Sequence, residues 1–351
     1  FLPAGSVPGT ALAAVCYFFL AVSTLALLVK WTHWSSYGET ILKHPFIVRL
    51  SRYLSYLDAA AAALLALDRF VLKLAYVVHA AVHAESNPTG TLSSMVYMAY
   101  NQRSLFAIGI SYTVRLALFG TAIAFVLALL MVFLRIQEPD KRNNDFVKII
   151  KIVANKFARF YIFVIRGTPM MVQSLIFYYA IFNLFKRTGM SVTEINRVWS
   201  LFISGLVTVS LNSTAYLAEV LRGGILAVDA GQMEAARSLG MTHWQAMRRV
   251  VFPQAIKNSL PAIGNEFIIN IKDSSVLCVL GVSDLMFMTR SVAGIYYKGT
   301  ECYLIAATVY LFLTYLSSLL LKAITGKMTA PDNTKRHQGN QTVDLGLPSS
   351  N

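Results

Sequence analysis

Long uncharged apolar runs restrict what this chain can fold into more than any other feature. Ala11 to Val29, Leu116 to Leu134 and Trp199 to Ala218 carry no charge, and Tyr303 to Leu321 is wholly apolar or hydroxylated. A helix of roughly 20 residues crosses about 30 Å of hydrocarbon. Hydrophobic residues make up 56% of the chain and charged residues 14%, which is typical of integral membrane proteins. The sequence therefore predicts an all-α membrane protein.

Two further segments complete the predicted spans. Phe160 to Phe185 is interrupted near its start by Arg166-Gly167-Thr168-Pro169. Asn258 to Ser283 is the most polar, and it holds Asn265, Glu266, Asn270, Lys272 and Asp273. The run at about 11–29 has no basic region before it and no small-residue cleavage site after it, so we predict a membrane anchor rather than a signal peptide. Five spans follow the anchor.

Positive charge gathers in the loops and predicts the orientation of the spans. The formal net charge is +14, and the loop after Leu134 is rich in Lys and Arg, which marks it as cytoplasmic. Counting forward places 186–198 and 284–302 outside, and 219–257 and the C-terminus inside. No separate basic surface indicates nucleic-acid binding. Three cysteines lie in or beside apolar segments without metal spacing, which disfavours a structural disulfide or zinc site: Cys16, Cys278 and Cys302.

The predicted organisation has three parts. Residues 1–103 hold the anchor and a helical extension, residues 104–325 form the five-span core with a cytoplasmic loop at 229–252, and residues 326–351 form a polar, disordered tail. The alanine-rich run from 58 to 84 is broken by charges, so a re-entrant or surface helix is favoured. The alternative, a further crossing, would reverse the direction of the anchor.

The loop at 229–252 has the pattern of two capped helices. Asp229 and Thr242 are each followed three residues later by Gln, which is capping-box spacing. Gly240 supplies the left-handed residue that closes a helix, and Pro253 is expected to end the second one. We predict helices at about 230–238 and 243–251 that meet at a tight bend, with Trp244 on the apolar stripe of the second. The alternative is an ordinary connection between spans.

Polar side chains inside the spans mark the candidate binding site, because they are costly there. Asn212, Tyr216 and Glu219 are spaced i, i+4, i+7 and share one helical face. That face is suited to line a cavity. The alternatives are hydrogen bonds that join neighbouring helices and, for Glu219, a pair with Arg222.

The run Lys272-Asp273-Ser274-Ser275 matches a zwitterionic solute, which offers one carboxylate and one ammonium group. The alternative is an internal Lys272–Asp273 ion pair. For Pro169, a capped helix start at Thr168 at the cytoplasmic entrance of the span is the simpler explanation, and the role of Arg166 stays open. No phosphate-binding loop, metal-ligand pair or nucleophile elbow occurs in the sequence, so neither ATP hydrolysis nor proteolysis is indicated.

Three ordered motifs together resemble the permease subunit of polar amino-acid ABC importers, over about Ser104 to Ile324. They are Arg166-Gly167-Thr168-Pro169, the segment from Asn212 to Ile225, and the Glu234-Ala235-Ala236 to Gly240 loop followed by Leu260-Pro261. The resemblance implies the type I importer fold, here a five-span core with an extra N-terminal span, in a multi-pass protein of the bacterial inner membrane. Residues 1–103 lie outside it.

The resemblance also implies roles. The subunit would pair with itself or a similar permease, receive the amino acid from an extracytoplasmic binding protein, and dock into ATPase subunits that bind ATP and Mg²⁺, with no cofactor or catalytic residue of its own. The docking residues would be Glu234, Ala235, Ala236, Gly240 and Trp244. The solute positions would be Ser213, Tyr216, Glu219, Lys272, Asp273, Ser274 and Ser275, to which span polarity adds Asn212.

Two other classes stay open. A secondary transporter would show paired broken helices in two related halves, which are not visible in the sequence. A non-transporting scaffold would not need polar faces inside the spans. The identity of the amino acid and the choice between homodimer and heterodimer do not follow from the sequence.

Overall fold

The computed structural model describes residues 7–32, isolated helical positions between 49 and 71, and the ranges 73–136 and 144–329. Within these ranges the ordered elements are helices, and no strand is present. Contacts divide the chain into two units, Phe1–Asn101 and Gln102–Asn351.

The first unit contains three named helices: α1 (Val7–Thr32), α2 (Lys73–Val82) and α3 (Thr91–Asn101). The predicted anchor is helical, and α1 extends beyond it at both ends. However, α1 is not among the described helices that are long and apolar enough to cross a membrane. Its anchoring role therefore stays a prediction. Only the last part of the 58–84 run, in α2, lies within a continuous described range.

The second unit holds the remaining helices and the predicted core. They are α4 (Arg103–Ile136), α5 (Asp145–Gly167), α6 (Met170–Arg187), α7 (Val192–Val198), α8 (Leu201–Leu226), α9 (Ala230–Ser238), α10 (His243–Ala246), α11 (Phe252–Asp273), α12 (Leu285–Tyr296) and α13 (Gly299–Thr329). A π-helical turn, Met247–Val251, joins α10 to α11, and a 3₁₀ helix, Ser274–Leu280, follows α11.

Three of these helices, α4, α8 and α13, are long and apolar enough to span a membrane. Two bent pairs meet the same requirement together, which gives up to five spans in the described part of the chain. The pair α5 and α6 is bent by 112°, and the pair formed by residues 243–280 and α12 is bent by 54°. Helix α13 continues to Thr329, four residues past the predicted end of the five-span core at residue 325. The rest of the predicted tail, from residue 330, lies outside the described residues.

The predicted interruption of the segment from Phe160 to Phe185 is confirmed, because Thr168 adopts an extended conformation (φ −122°, ψ 145°) between α5 and α6, as expected for a residue before proline. One predicted helix boundary was wrong. Pro253 does not end the helix that begins at His243. It lies in the first turn of α11, directly after the π-helical turn, so the chain stays helical to Asp273.

The centre of the second unit is α8, whose small residues allow close packing. A Cβ on Gly120 of α4 would lie 2.6 Å from Cγ1 of Val209, so a side chain there would force α4 and α8 apart. Apolar side chains of α4, α5 and α8 form one buried cluster that includes Ala128, Ile162 and Leu217. The polar residues of α8 are consequently held against α4, α5 and α11.

Candidate functional site

The polar face of α8 is partly buried and partly open. Asn212 and Ser213 are buried, whereas Tyr216 is 38% exposed. Among residues 212–218, all of them described, Tyr216 alone is exposed. The centre of α8 therefore presents one aromatic side chain through an otherwise closed surface.

Asn212 and Ser213 currently join helices. The Asn212 Nδ2 atom donates to Oε1 of Gln173 at 3.0 Å. The Ser213 hydroxyl donates to Oδ1 of Asn270 at 2.9 Å, and Asn270 Nδ2 donates to the Thr121 hydroxyl at 2.8 Å. These bonds match the helix-bridging alternative, and they connect α8 with α4, α6 and α11 by amide and hydroxyl groups.

Gln173 holds the break between α5 and α6, and sequence reasoning missed it. Its Nε2 atom contacts the carbonyl oxygen of Ile165 at 2.7 Å, that of Thr168 at 3.0 Å and the Thr168 hydroxyl at 2.8 Å. The side chain is buried. The sequence did contain a signal for this role, namely a single amide side chain in an apolar run, four residues after Pro169. A buried amide needs hydrogen-bond partners, so its presence there indicates a polar contact.

The expected capped helix start at Thr168 was wrong. The Thr168 hydroxyl donates back to the carbonyl oxygen of Val164 at 2.9 Å, and α6 begins after Pro169 with no side-chain cap. Thr168 therefore finishes α5 instead of starting α6.

Arg166 lies in the last turn of α5, beside the break between α5 and α6. Earlier on α5, Asn155 donates to the carbonyl oxygen of Arg135 near the C-terminal end of α4 at 2.6 Å, and Tyr161 donates to that of Leu211 at 2.7 Å. Arg166 follows Asn155 by three helical turns, or about 16 Å of rise. Its position at the cytoplasmic entrance stays a prediction. Its guanidinium lies 5.2 Å from the centre of the Tyr216 ring.

Glu219 lies in a cluster of three charges near the C-terminal ends of α4 and α8. Its carboxylate forms salt bridges with Arg135 and with Nε of Arg222, the latter at 2.9 Å. Of the two roles left open by the sequence, the structure shows pairing with Arg222, and it adds Arg135, which is distant in the sequence. The carboxylate joins α4 to α8.

The run from Lys272 to Ser275 lies where α11 passes into the 3₁₀ helix. Lys272 and Asp273 are both exposed, and these two described side chains form no salt bridge with each other. Ser274 is buried and donates to the carbonyl oxygen of Ile271 at 3.0 Å, while Ser275 is half-buried. The alternative of an internal Lys272–Asp273 ion pair is thus not formed. One turn before Ser274, Asn270 contacts α8.

The loop after α8 has the predicted bent shape. Asp229 caps α9, although through the amide of Gly231 at 2.7 Å rather than that of Gln232. The predicted capping box of Thr242 and Gln245 is confirmed. Gly240 has φ +84° at the bend, which is the left-handed conformation expected from the sequence.

The surface of this loop is distinctive. Glu234, Ala235 and Leu239 are exposed, whereas Ala236 is buried. The Trp244 ring is 54% exposed and packs edge-on against Phe133 with 5.6 Å between centroids. Phe133 lies two residues before Arg135, so the loop contacts the end of α4 beside the charge cluster.

The chain matches known transport proteins over this unit. Residues 150–330 match the family described as binding-protein-dependent transport system inner membrane component. The chain is 34% identical over 176 residues to the glutamine transport system permease protein GlnP of Escherichia coli strain K12, and the match covers 50% of this chain and 76% of that protein. It is 37% identical over 182 residues to the probable amino-acid permease protein YxeN of Bacillus subtilis strain 168, covering 52% and 78%.

Solved structures agree with this assignment. A crystal structure of an amino acid ABC transporter with histidines matches with a TM-score of 0.54 and 38% identity, over 65% of this chain and 95% of that one. An inward-facing MetNI methionine ABC transporter shares the fold, with a TM-score of 0.52 and 18% identity over 65% of this chain and 98% of that one. The described part of the chain contains several apolar, membrane-length helices. The chain therefore belongs to the binding-protein-dependent transport system inner membrane components, as an ABC transporter permease whose relatives are amino-acid permeases.

Proposed function

We propose that this permease moves polar amino acids inward across the membrane, driven by separate ATPase subunits that bind ATP and Mg²⁺. An extracytoplasmic binding protein supplies the solute, and a second copy or a similar permease completes the pathway. Support comes from the relatives, which are named as glutamine and amino-acid permeases, and from a similar transporter solved with histidines.

The exposed ring of Tyr216 in the buried centre of α8 carries the proposal for the solute site. Intramembrane polar groups that reach an open surface mark solute pathways by default. Asn212 and Ser213 lie about one helical turn before Tyr216 on α8. In this proposal Lys272, Asp273, Ser274 and Ser275 contribute the charges and hydroxyls that recognise an amino acid. Glu219 is already paired twice, so in this proposal it stabilises the inner end of the site.

The bent loop couples the site to the ATPase. Glu234 and Ala235 project from α9, and the small side chain of Ala235 lets a partner surface approach the helix closely. ATP-driven closure of the ATPases would draw the loops of two permeases together. Trp244 would pass this motion to Phe133 and α4, because the two rings are in contact.

Replacement of Gly240 by alanine tests the coupling role. A non-glycine residue in the left-handed region costs roughly 1–2 kcal/mol, so Gly240→Ala should distort the bend. In proteoliposomes that contain the permease, ATPase and binding protein, we expect ATP-driven uptake of L-glutamine and L-histidine to fall about tenfold or more. Binding of either solute to the permease–ATPase complex should be unchanged.

Gly189→Ala is the matched control. Gly189 also has positive φ (+86°) and no atom within 4 Å of an added Cβ, but it lies in a predicted outer loop. If both variants lost uptake equally, or if Gly240→Ala kept full coupling, the docking role would be refuted. Uphill uptake by the purified permease alone with an ion gradient would instead establish a secondary transporter.

A further inference from the structure

The guanidinium of Arg166 has no carboxylate partner among the described residues. Two other arginines, Arg135 and Arg222, each form a salt bridge with Glu219. The guanidinium of Arg166 lies 5.2 Å from the centre of the Tyr216 ring. Arg166 is exposed at the bend of the α5–α6 pair, which together is long and apolar enough to cross a membrane. A charge within a membrane span is costly unless it is paired or faces a polar cavity. The guanidinium is therefore a candidate for binding an anionic group.

The contact with Tyr216 uses none of the hydrogen-bond donors of Arg166, because a cation–π contact is an attraction between the charge and the ring face. A guanidinium carries five N–H donors in a planar fork that fits a carboxylate with two parallel bonds. These donors can therefore bind an anion while Arg166 stays beside the ring.

Gln173 fixes the backbone on both sides of Arg166. It is hydrogen-bonded to the carbonyl oxygens of Ile165 and Thr168, which flank the Arg166-Gly167 step. Its Oε1 accepts from Asn212, which lies on the same helix as Tyr216 and four residues before it. The buried amide of Gln173 therefore stabilises the break between α5 and α6, and it links this break to the helix that carries Tyr216.

We propose that Arg166, beside the Tyr216 ring, binds the α-carboxylate of the transported amino acid. This inference rests on the proposed function and adds a recognition residue to it. It selects solutes that carry a free carboxylate and disfavours their α-amides. Arg166 is a specificity-determining residue in this scheme, and Gln173 is a positioning residue that acts through it.

The test compares acids with their α-amides. Binding of L-glutamine, L-histidine and the α-amide of each would be measured by calorimetry on the permease–ATPase complex in lipid nanodiscs without ATP. Wild type should prefer the acids. Arg166→Gln should weaken binding of the acids about 10- to 100-fold, the usual range for loss of a charge-assisted pair, and change binding of the amides less than about twofold.

Arg166→Lys and Arg159→Gln complete the set. Lysine keeps the charge but not the planar fork, so it should weaken acid binding less than glutamine does and leave amide binding unchanged. The Arg166→Lys variant also tests the inference if Arg166→Gln does not fold or assemble with the ATPase. Arg159 is exposed two turns earlier on α5, and its replacement should have no effect on either class.

Two results would overturn the inference. Equal weakening of acids and amides would show that Arg166 only maintains the shape of the site. Unchanged binding in both Arg166 variants would show that its counter-charge comes from a second permease subunit or from lipid phosphate. If wild type neither bound nor transported any of these solutes, the proposed function would fail first, and the two failures are therefore distinguishable.

Discussion

Two adjacent glycines in α8 have opposite surroundings, so they provide a controlled measurement of helix packing. A Cβ on Gly224 would overlap the Ser259 hydroxyl and lie 2.7 Å from the carbonyl oxygen of Ala255, both on α11. A Cβ on Gly223 would meet nothing within 4 Å. Gly224 is therefore where α8 and α11 approach closely, and Gly223 reports the intrinsic effect of alanine in the same helix.

The two substitutions should change the free energy of unfolding in opposite directions. Gly223→Ala should raise the free energy of unfolding by about 0.5–1 kcal/mol, because glycine is the poorer helix former. Gly224→Ala gains the same helix term but forces extra volume into a packed contact, which costs about 1–3 kcal/mol. The serine hydroxyl can rotate away, whereas the Ala255 carbonyl is part of the helix backbone, so α8 and α11 must separate. We expect the contact term to dominate, with a difference between the variants of about 2 kcal/mol.

Equilibrium unfolding of the purified permease in mixed micelles, followed by helical circular dichroism, measures both variants against wild type. Equal midpoints for the two variants would refute the reasoning, since the only structural difference between the sites is the neighbour across the helix contact. A destabilised Gly223→Ala together with a neutral Gly224→Ala would show that the helices pack on the opposite face.

Two further predictions concern hydrogen bonding. Gln173→Leu removes the hydrogen bonds at the break between α5 and α6, and it should lower the free energy of unfolding by about 2–4 kcal/mol in the same assay. The control, Gln254→Leu at an exposed position, should change it by less than about 0.5 kcal/mol. Equal effects of the two substitutions would contradict a structural role for Gln173. The backbone amide and hydroxyl of Ser191 lower the pKa of Glu194 below its ordinary 4.5, so α7 should be stabilised above that pH and lose this stabilisation as the pH falls through the lowered value. Hydrogen exchange of α7 should show this loss in wild type and not in Glu194→Gln, and an identical pH response in both would refute it.

Local patterns were enough for much of the fold. The uncharged runs predicted α4, α8 and α13, because crossing hydrocarbon demands length and low polarity from a single segment. The capping box at Thr242 and the left-handed Gly240 also followed from the sequence, since a cap needs only residues three or four positions apart. The conformation of the bent loop is therefore determined by a short stretch of the sequence.

The polar contacts of the site required the tertiary structure. Glu219 pairs with Arg135 from 84 positions away, and Asn212 with Gln173 from 39. Spacing along one helix identified a polar face, but it could not indicate which of those groups were already paired. Hydropathy also could not indicate that Arg166 lies beside Tyr216, which is 50 positions later in the sequence.

The sequence by itself determined the class of protein, its membrane-length helices and the shape of the bent loop at 229–252, because these depend on the composition and order of neighbouring residues. The tertiary structure decided which charges are neutralised and which are left open. A side chain is free or paired only relative to the helices packed against it, and on this basis Glu219 joins two helices while Arg166 stands over Tyr216 without a carboxylate partner among the described residues.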